Sequence, residues 1–238
     1  MPEPIRLTKR VMELANCSRR EAEQYIMGGW VLVDGKVVDA PQFIVVKQRI
    51  ALSPDARLAA PEPATLLLHK PVGLDCDIAS IEALLSSDNR WPGDDSGIAI
   101  LRRHFTKLSV VMPLEAQASG LVVVTQDSAL LRRMREDSNR IEQEFVVEVA
   151  GNIATNGLQR LQHGLRFNER NLPPCKVSWQ NEFRLRFALS PVQPGQIVSM
   201  CADVGLQVLA LRRIRIGRVP LAKMSVGEWR HLPSNQRL

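Results

Sequence analysis

The chain has 238 residues, 45% hydrophobic and 24% charged, enough for a buried core and two modest domains, or one domain with an appendage. Its formal charge of +6 and pI near 9.5 favour a polyanionic partner, because Lys and Arg that neutralise phosphates release condensed counterions. Four scattered cysteines without a Cys-x-x-Cys pair, and four histidines without ligand spacing, suggest neither a disulfide scaffold nor a zinc site. Idle thiols fit a reducing compartment. The N-terminus has no signal-peptide core and no apolar run is long enough to cross a bilayer, so the expectation is a cytoplasmic protein away from membranes. No metal or cofactor is expected, and a monomer is the default. With a single tyrosine, Tyr25, the core must lean on Val, Leu, Ile and Ala.

From Met1 to about Arg57 the pattern reads as two short helices followed by strands. Leu7, Val11 and Leu14 recur at helical spacing, with Arg6, Lys9 and Arg10 on the polar side. Ser18-Arg19-Arg20-Glu21 has the form of a capping box that starts the second helix, and Gly28-Gly29 ends it. Trp30–Val33 reads as a strand, Asp34-Gly35 as a two-residue hairpin turn, Lys36–Val38 as the return strand, and Ile44–Leu52 as a further strand. Residues 59–64, with two prolines in six, favour extended backbone and form the linker, placing domains at 1–58 and 65–238.

Beyond the linker, strand-like runs recur at Thr65–His69, Leu121–Thr125, Glu144–Val149, Lys176–Trp179, Phe183–Leu189 and Leu206–Leu211. Helical patterns fall at Ser128–Arg135, capped by Asp127, at Asn156–His163 and at Gln196–Asp203. Strands that follow one another closely favour an α+β fold with a mixed, mostly antiparallel sheet and flanking helices over a doubly wound one. Residues 88–97, rich in Pro, Gly, Asn and Asp, read as a surface loop. Alternation along Leu211–Arg218 places Arg213 and Arg215 on one strand face, where they could contact RNA phosphates or simply be solvated.

Arg6, Lys9, Arg10, Arg19 and Arg20 on the first two helices, with Lys36 on the hairpin, could grip structured RNA through its phosphates, although Glu13, Glu21 and Glu23 lie among them. The run from Ile5 to Lys36, with its Cys17-Ser18-Arg19-Arg20-Glu21-Ala22 core and Asp34-Gly35 turn, resembles the small RNA-binding domain named after the fourth protein of the ribosomal small subunit. That resemblance adds Ser18 to the RNA-contacting set. Asn16 stands where a Gly often precedes the core, and Asn tolerates the left-handed conformation.

His69-Lys70-Pro71-Val72-Gly73 resembles the Asn-Lys-Pro-x-Gly opening of the catalytic domain of RsuA-like ribosomal RNA pseudouridine synthases. Ser119–Thr125, Gln143–Val147, Gln196-Ile197 with Met200 and Gly205, and Ile216-Gly217 through Gly227–Arg230 continue the resemblance in order. It implies a ribosomal RNA partner, a place in ribosome biogenesis and a cofactor-free isomerisation. In that reaction a carboxylate attacks or deprotonates an unstacked uridine, an aromatic ring packs against the base, and an Arg pairs with the carboxylate.

Mapped onto this chain, the family's Gly-Arg-Leu-Asp reads Met112-Pro113-Leu114-Glu115, five residues before Gly120. Glu115 stands at the catalytic Asp position, and its extra methylene moves the carboxylate by about 1 Å, a displacement that costs on the order of 100-fold. Phe145 stands at the Tyr position and keeps only the ring. The motif with three arginines reads Val192-Gln193-Pro194-Gly195-Gln196-Ile197-Val198-Ser199-Met200, without any of them. These groups act as a unit, so the expectation is an RNA-binding protein whose isomerase activity is weak or lost. The alternative is an active synthase using Glu115, and a third reading makes the second domain a protein-interaction platform.

Overall fold

A computed structural model describes residues 3–58, 62–233, 236 and 238. Of the expected linker, residues 59–61 lie outside the described residues. The chain divides into two compact units, Met1–Pro63 with Gly97–Lys107, and Ala64–Ser96 with Leu108–Leu238.

In the first unit, β1 (Ile5–Arg6) leads into α1 (Leu7–Ala15) and α2 (Arg19–Met27), followed by β2 (Val31–Val33), β3 (Lys36–Val37), β4 (Ile44–Val45) and β5 (Ile50–Leu52). Asn16 ends α1 in the left-handed region at φ 48°. Ser18 and Glu21 form the reciprocal capping box, the hydroxyl accepting from the Glu21 amide and the carboxylate from the Ser18 amide. Leu7, Val11, Ala22, Ile26, Val31, Val33 and Val45 make one core. Leu14, read as part of the same stripe, is 53% exposed at the next-to-last position of the helix. Asp34 and Gly35 take φ 49° and 80°, the paired left-handed values a tight hairpin needs. The single strand expected over Ile44–Leu52 is two: β4 pairs with β1 and β5 with β2. Between them Gln48 Oε1 accepts from the amides of Val46 and Lys47, closing a turn that breaks the strand.

Gly97–Lys107 packs with this unit, although the sequence pattern assigns it to the second domain. Its Leu101 is 4% exposed and lies so close over Gly29 that a Cβ there would come within 2.7 Å of a Leu101 methyl. The Arg102 amide donates to Asp39, and Arg103 Nη1 donates to the Glu62 carbonyl at 2.8 Å. These contacts join residues 41 to 72 positions apart, so no local pattern announces them.

The second unit is built on a sheet of nine strands among the described residues. In chain order its elements are β6 (Thr65–Lys70), α3 (Ile78–Glu82), β7 (Ser109–Val111), β8 (Ser119–Thr125), α4 (Ser128–Glu136), β9 (Gln143–Gly151), α5 (Gly157–His163), β10 (Arg166–Phe167), β11 (Arg170–Asn171), β12 (Lys176–Asn181), β13 (Arg184–Leu189), α6 (Gln196–Ala202), β14 (Leu206–Ile216), β15 (Val219–Pro220) and β16 (Trp229–His231). The sheet order is β12-β13-β9-β14-β8-β6-β16, with β15 on β14 and β7 on β8; β10 and β11 form a separate hairpin. Every pairing is antiparallel except β14 with β8, which gives the mixed, mostly antiparallel α+β fold. Asp127 caps α4, accepting from the amides of Ala129 and Leu130. Leu67, Val111, Leu121, Val123, Met134 and Ile216 anchor a core on one side of the central strands.

The parallel seam is short, Arg212 opposite Ser119 and Arg213 opposite Gly120. Gly120 has φ 117°, and a Cβ there would sit 2.2 Å from the Arg213 carbonyl oxygen, so only glycine lets the two strands meet. The segment read as a surface loop, 88–97, sends Asp94 inward, its side chain 2% exposed against Arg90 and His231. Burial alone would raise that carboxyl, but hydrogen bonds from Ser96, the His231 amide and Arg90 overcome it and hold it far below the usual range.

On the sheet, Arg215 pairs with Glu142 and Glu144, and Arg186 pairs with Glu144. The Arg215 hydrogen bond is the main cause lowering Glu144 to about 2, against desolvation that would raise it. A carboxyl depressed in the folded state contributes stability above its unfolded pKa of about 4.3 and loses it as pH falls through the folded value. Acid titration followed by circular dichroism is therefore expected to show Glu144→Gln narrowing the stability difference between about pH 5 and pH 2, by on the order of 2–3 kcal/mol. An unchanged acid limb in the variant would contradict it.

Candidate functional site

A cavity of about 300 Å³ opens in the second unit beside the parallel seam. Met112–Glu115 form one wall, Ser138 and Asn139 the turn after α4, and Gln143 and Phe145 of β9 the floor. Pro191–Pro194, Ile197 of α6, and Leu211 and Arg213 of β14 close it. Its surface is mostly apolar with few polar groups, the usual make-up of a small-ligand site. Phe145 is 1% exposed, so its ring is a packed wall of the cavity.

The wall that carries Glu115 is tied down by groups from other strands. Lys70 is fully buried, and its Nζ donates to the carbonyls of Pro71, Leu74 and Ala116 at 2.9, 2.7 and 3.2 Å. The Gly73 amide donates to the same Ala116 carbonyl at 2.7 Å, and the Ala118 amide to the Glu115 carbonyl at 3.1 Å. Burial lowers the Lys70 ammonium, with Cys76 and Asp75 pulling the other way. Each ammonium proton has an acceptor, which is what makes a buried lysine tolerable. The Lys70-Pro71-x-Gly73 turn thus positions the backbone immediately after Glu115.

Glu115 itself is half-buried, and its Oε1 accepts from the Gly195 amide at 2.9 Å. No ion pair reaches Glu115 among the described residues. Gly195 is the residue that opens α6, in the left-handed region at φ 75°. Val198 on the same helix is 44% exposed and Ser199 follows it, so neither brings a cation to the carboxylate.

Arg213 corrects the alternation reading. A register shift between Arg213 and Arg215 leaves Ile214 as an extra residue in β14, so Arg213 sits opposite Phe145 and Arg215 opposite Glu144. The two arginines therefore belong to different faces. Arg213 is 2% exposed and bridges three segments: Nε donates to the Leu121 carbonyl, Nη1 to Gln143 Oε1 and Nη2 to the Met112 carbonyl, all at 2.8–2.9 Å. Desolvation pushes its guanidinium down to about 10, partly opposed by Cys76. It is an internal brace of the cavity rather than a phosphate contact, while Arg215 is spent on Glu142 and Glu144. Sequence reasoning missed the parts of Lys70, Gln143 and Arg213 in this wall, although Lys70 and Gln143 fall within the quoted motifs.

In the first unit Arg6, Lys9, Arg10, Arg19, Arg20 and Lys36 are all exposed. Arg10 pairs with Glu13 at 3.1 Å and Arg19 with Glu23 at 2.9 Å, exposed pairs that phosphates can compete for at little cost. Ser18 uses its hydroxyl oxygen as the helix cap. Among the described residues no cluster of His, Cys, Asp and Glu is arranged to hold a metal ion, and no helix is long and apolar enough to cross a membrane.

Residues 5–48 match the S4 domain. Over 236 residues the chain is 28% identical to the dual-specificity RNA pseudouridine synthase RluF of Escherichia coli (strain K12), covering 98% of this chain and 77% of that protein. It is 27% identical over 236 residues to an uncharacterized RNA pseudouridine synthase of Aquifex aeolicus (strain VF5), covering 98% of this chain and 94% of that one. The crystal structure of a pseudouridylate synthase superimposes with a TM-score of 0.60 at 22% identity, over 96% of each chain, and shares the fold.

Proposed function

We propose, from this kinship with the RNA pseudouridine synthases, that the chain is a cytoplasmic ribosomal RNA-binding protein whose uridine isomerase activity is weak or lost. The S4-type unit would recognise structured RNA with Arg6, Lys9, Arg10, Arg19, Arg20 and Lys36, and the second unit would receive an unstacked nucleotide in its cavity. The observation that carries the reading is the state of Glu115. Its carboxylate has one backbone amide and no guanidinium, in a cavity walled by Phe145, Leu211, Ile197 and prolines. A carboxylate that acts as nucleophile or base in this reaction is held by a charged partner, and here the two buried cations that brace this wall, Lys70 and Arg213, are committed to carbonyl and amide oxygens.

The test is tritium release from uridine-labelled ribosomal RNA by the purified chain and its Glu115→Ala variant. The expected result is release at background for both. Turnover that vanishes in Glu115→Ala would instead establish an active synthase using Glu115.

A further inference from the structure

We propose that the end of α4 and the turn after it form a phosphate-binding rim of the cavity, with Arg133, Arg135 and Arg140 holding the backbone of the RNA strand that enters it. This rests on the RNA-binding reading above and adds to it a path for the strand. Ser138 and Asn139 line the cavity. Arg135 precedes Ser138 by three residues, a span of at most about 11 Å, and Arg140 adjoins Asn139 at about 3.8 Å between Cα atoms. All three arginines are exposed, and no ion pair holds them among the described residues. Their neighbour Arg132 lies against Glu136 at 3.9 Å, both largely exposed.

The turn itself is firmly placed. The amides of Arg140 and Ile141 donate to the Asp137 carbonyl, and the Ser190 hydroxyl donates to the Asn139 carbonyl at 2.7 Å, joining this rim to the opposite one. Packing of Met134 into the core fixes which side of α4 is buried and leaves Arg133 and Arg135, on its two flanks, in solvent. The opposing rim differs in kind. Ser190–Pro194 and α6 contain no charged residue, and Val198 stands exposed there. Positive charge at the mouth is therefore one-sided, and a polyanion reaching the cavity is drawn over α4 rather than α6.

Filter binding of the full chain to a ribosomal RNA transcript, from about 50 to 200 mM salt, tests this. The Arg133→Gln/Arg135→Gln/Arg140→Gln variant is expected to bind more weakly, with the log–log salt slope shallower by about 2, roughly 0.7 for each single-strand phosphate no longer neutralised. The corresponding triple Lys variant should keep the wild-type slope, as should Arg184→Gln, whose side chain already pairs with Glu148. A Gln variant with the wild-type slope, or a Lys variant that loses as much as the Gln variant, overturns the rim while leaving the RNA-binding reading intact. A wild-type chain that binds no RNA overturns both.

Discussion

Arg213→Met is expected to destabilise the second unit by about 3–5 kcal/mol, lowering its melting temperature by on the order of 10 °C. The side chain is a bracket, and removing it leaves three acceptors behind: the Leu121 and Met112 carbonyls and the Gln143 amide oxygen. Each buried acceptor left without a donor costs about 1–3 kcal/mol, and methionine of similar length refills the space without supplying a proton. The loss falls where β14 runs parallel to β8, so backbone on both sides of the cavity loosens together. Unfolding in urea followed by the fluorescence of Trp229, which is fully buried in this unit, reads the effect. A variant as stable as the parent would mean that the guanidinium's desolvation cancels its three hydrogen bonds.

The second large effect concerns chemistry. Glu115→Asp alone is expected to leave tritium release near that of the parent chain, whereas Glu115→Asp with Val198→Arg is expected to raise it by about 100-fold or more. Shortening the side chain retracts the carboxylate but leaves it among apolar walls with only the Gly195 amide. Val198 follows the cavity-lining Ile197 in the first turn of α6, and its exposure leaves room for a long side chain without repacking the core. If either single variant matches the double, the carboxylate and its missing partner are not coupled, and the account of weak activity fails.

The features legible in the sequence are those fixed by chain neighbours. Ser18 and Glu21 are three apart, Asp34 and Gly35 adjacent, and Asp127 sits one residue before its helix, so side chain and backbone partner share a short window. Glu115 and Phe145 were legible only through resemblance, and both line the cavity. What escaped has long-range causes. Two-residue alternation cannot anticipate the extra residue at Ile214, because the bulge is set by how β14 meets β9. Arg213 therefore looked like a surface cation until its acceptors, which lie 70 to 101 positions away, were in place. Asp94 looked like loop for the same reason, since His231 is 137 positions away.

The contribution of Gly97–Lys107 to the first unit sets an order of events on the ribosome. The S4-type segment is translated first, yet Leu101, Arg102 and Arg103, which cover Gly29 and satisfy Asp39 and Glu62, emerge only after the opening strand of the second unit. At about 5–20 residues per second, the first unit waits some 2–9 s between the synthesis of Pro63 and that of Lys107 before its last piece exists. During that interval the surface that Leu101 will cover stays open to water, and the N-terminal unit is completed only after the second unit has begun.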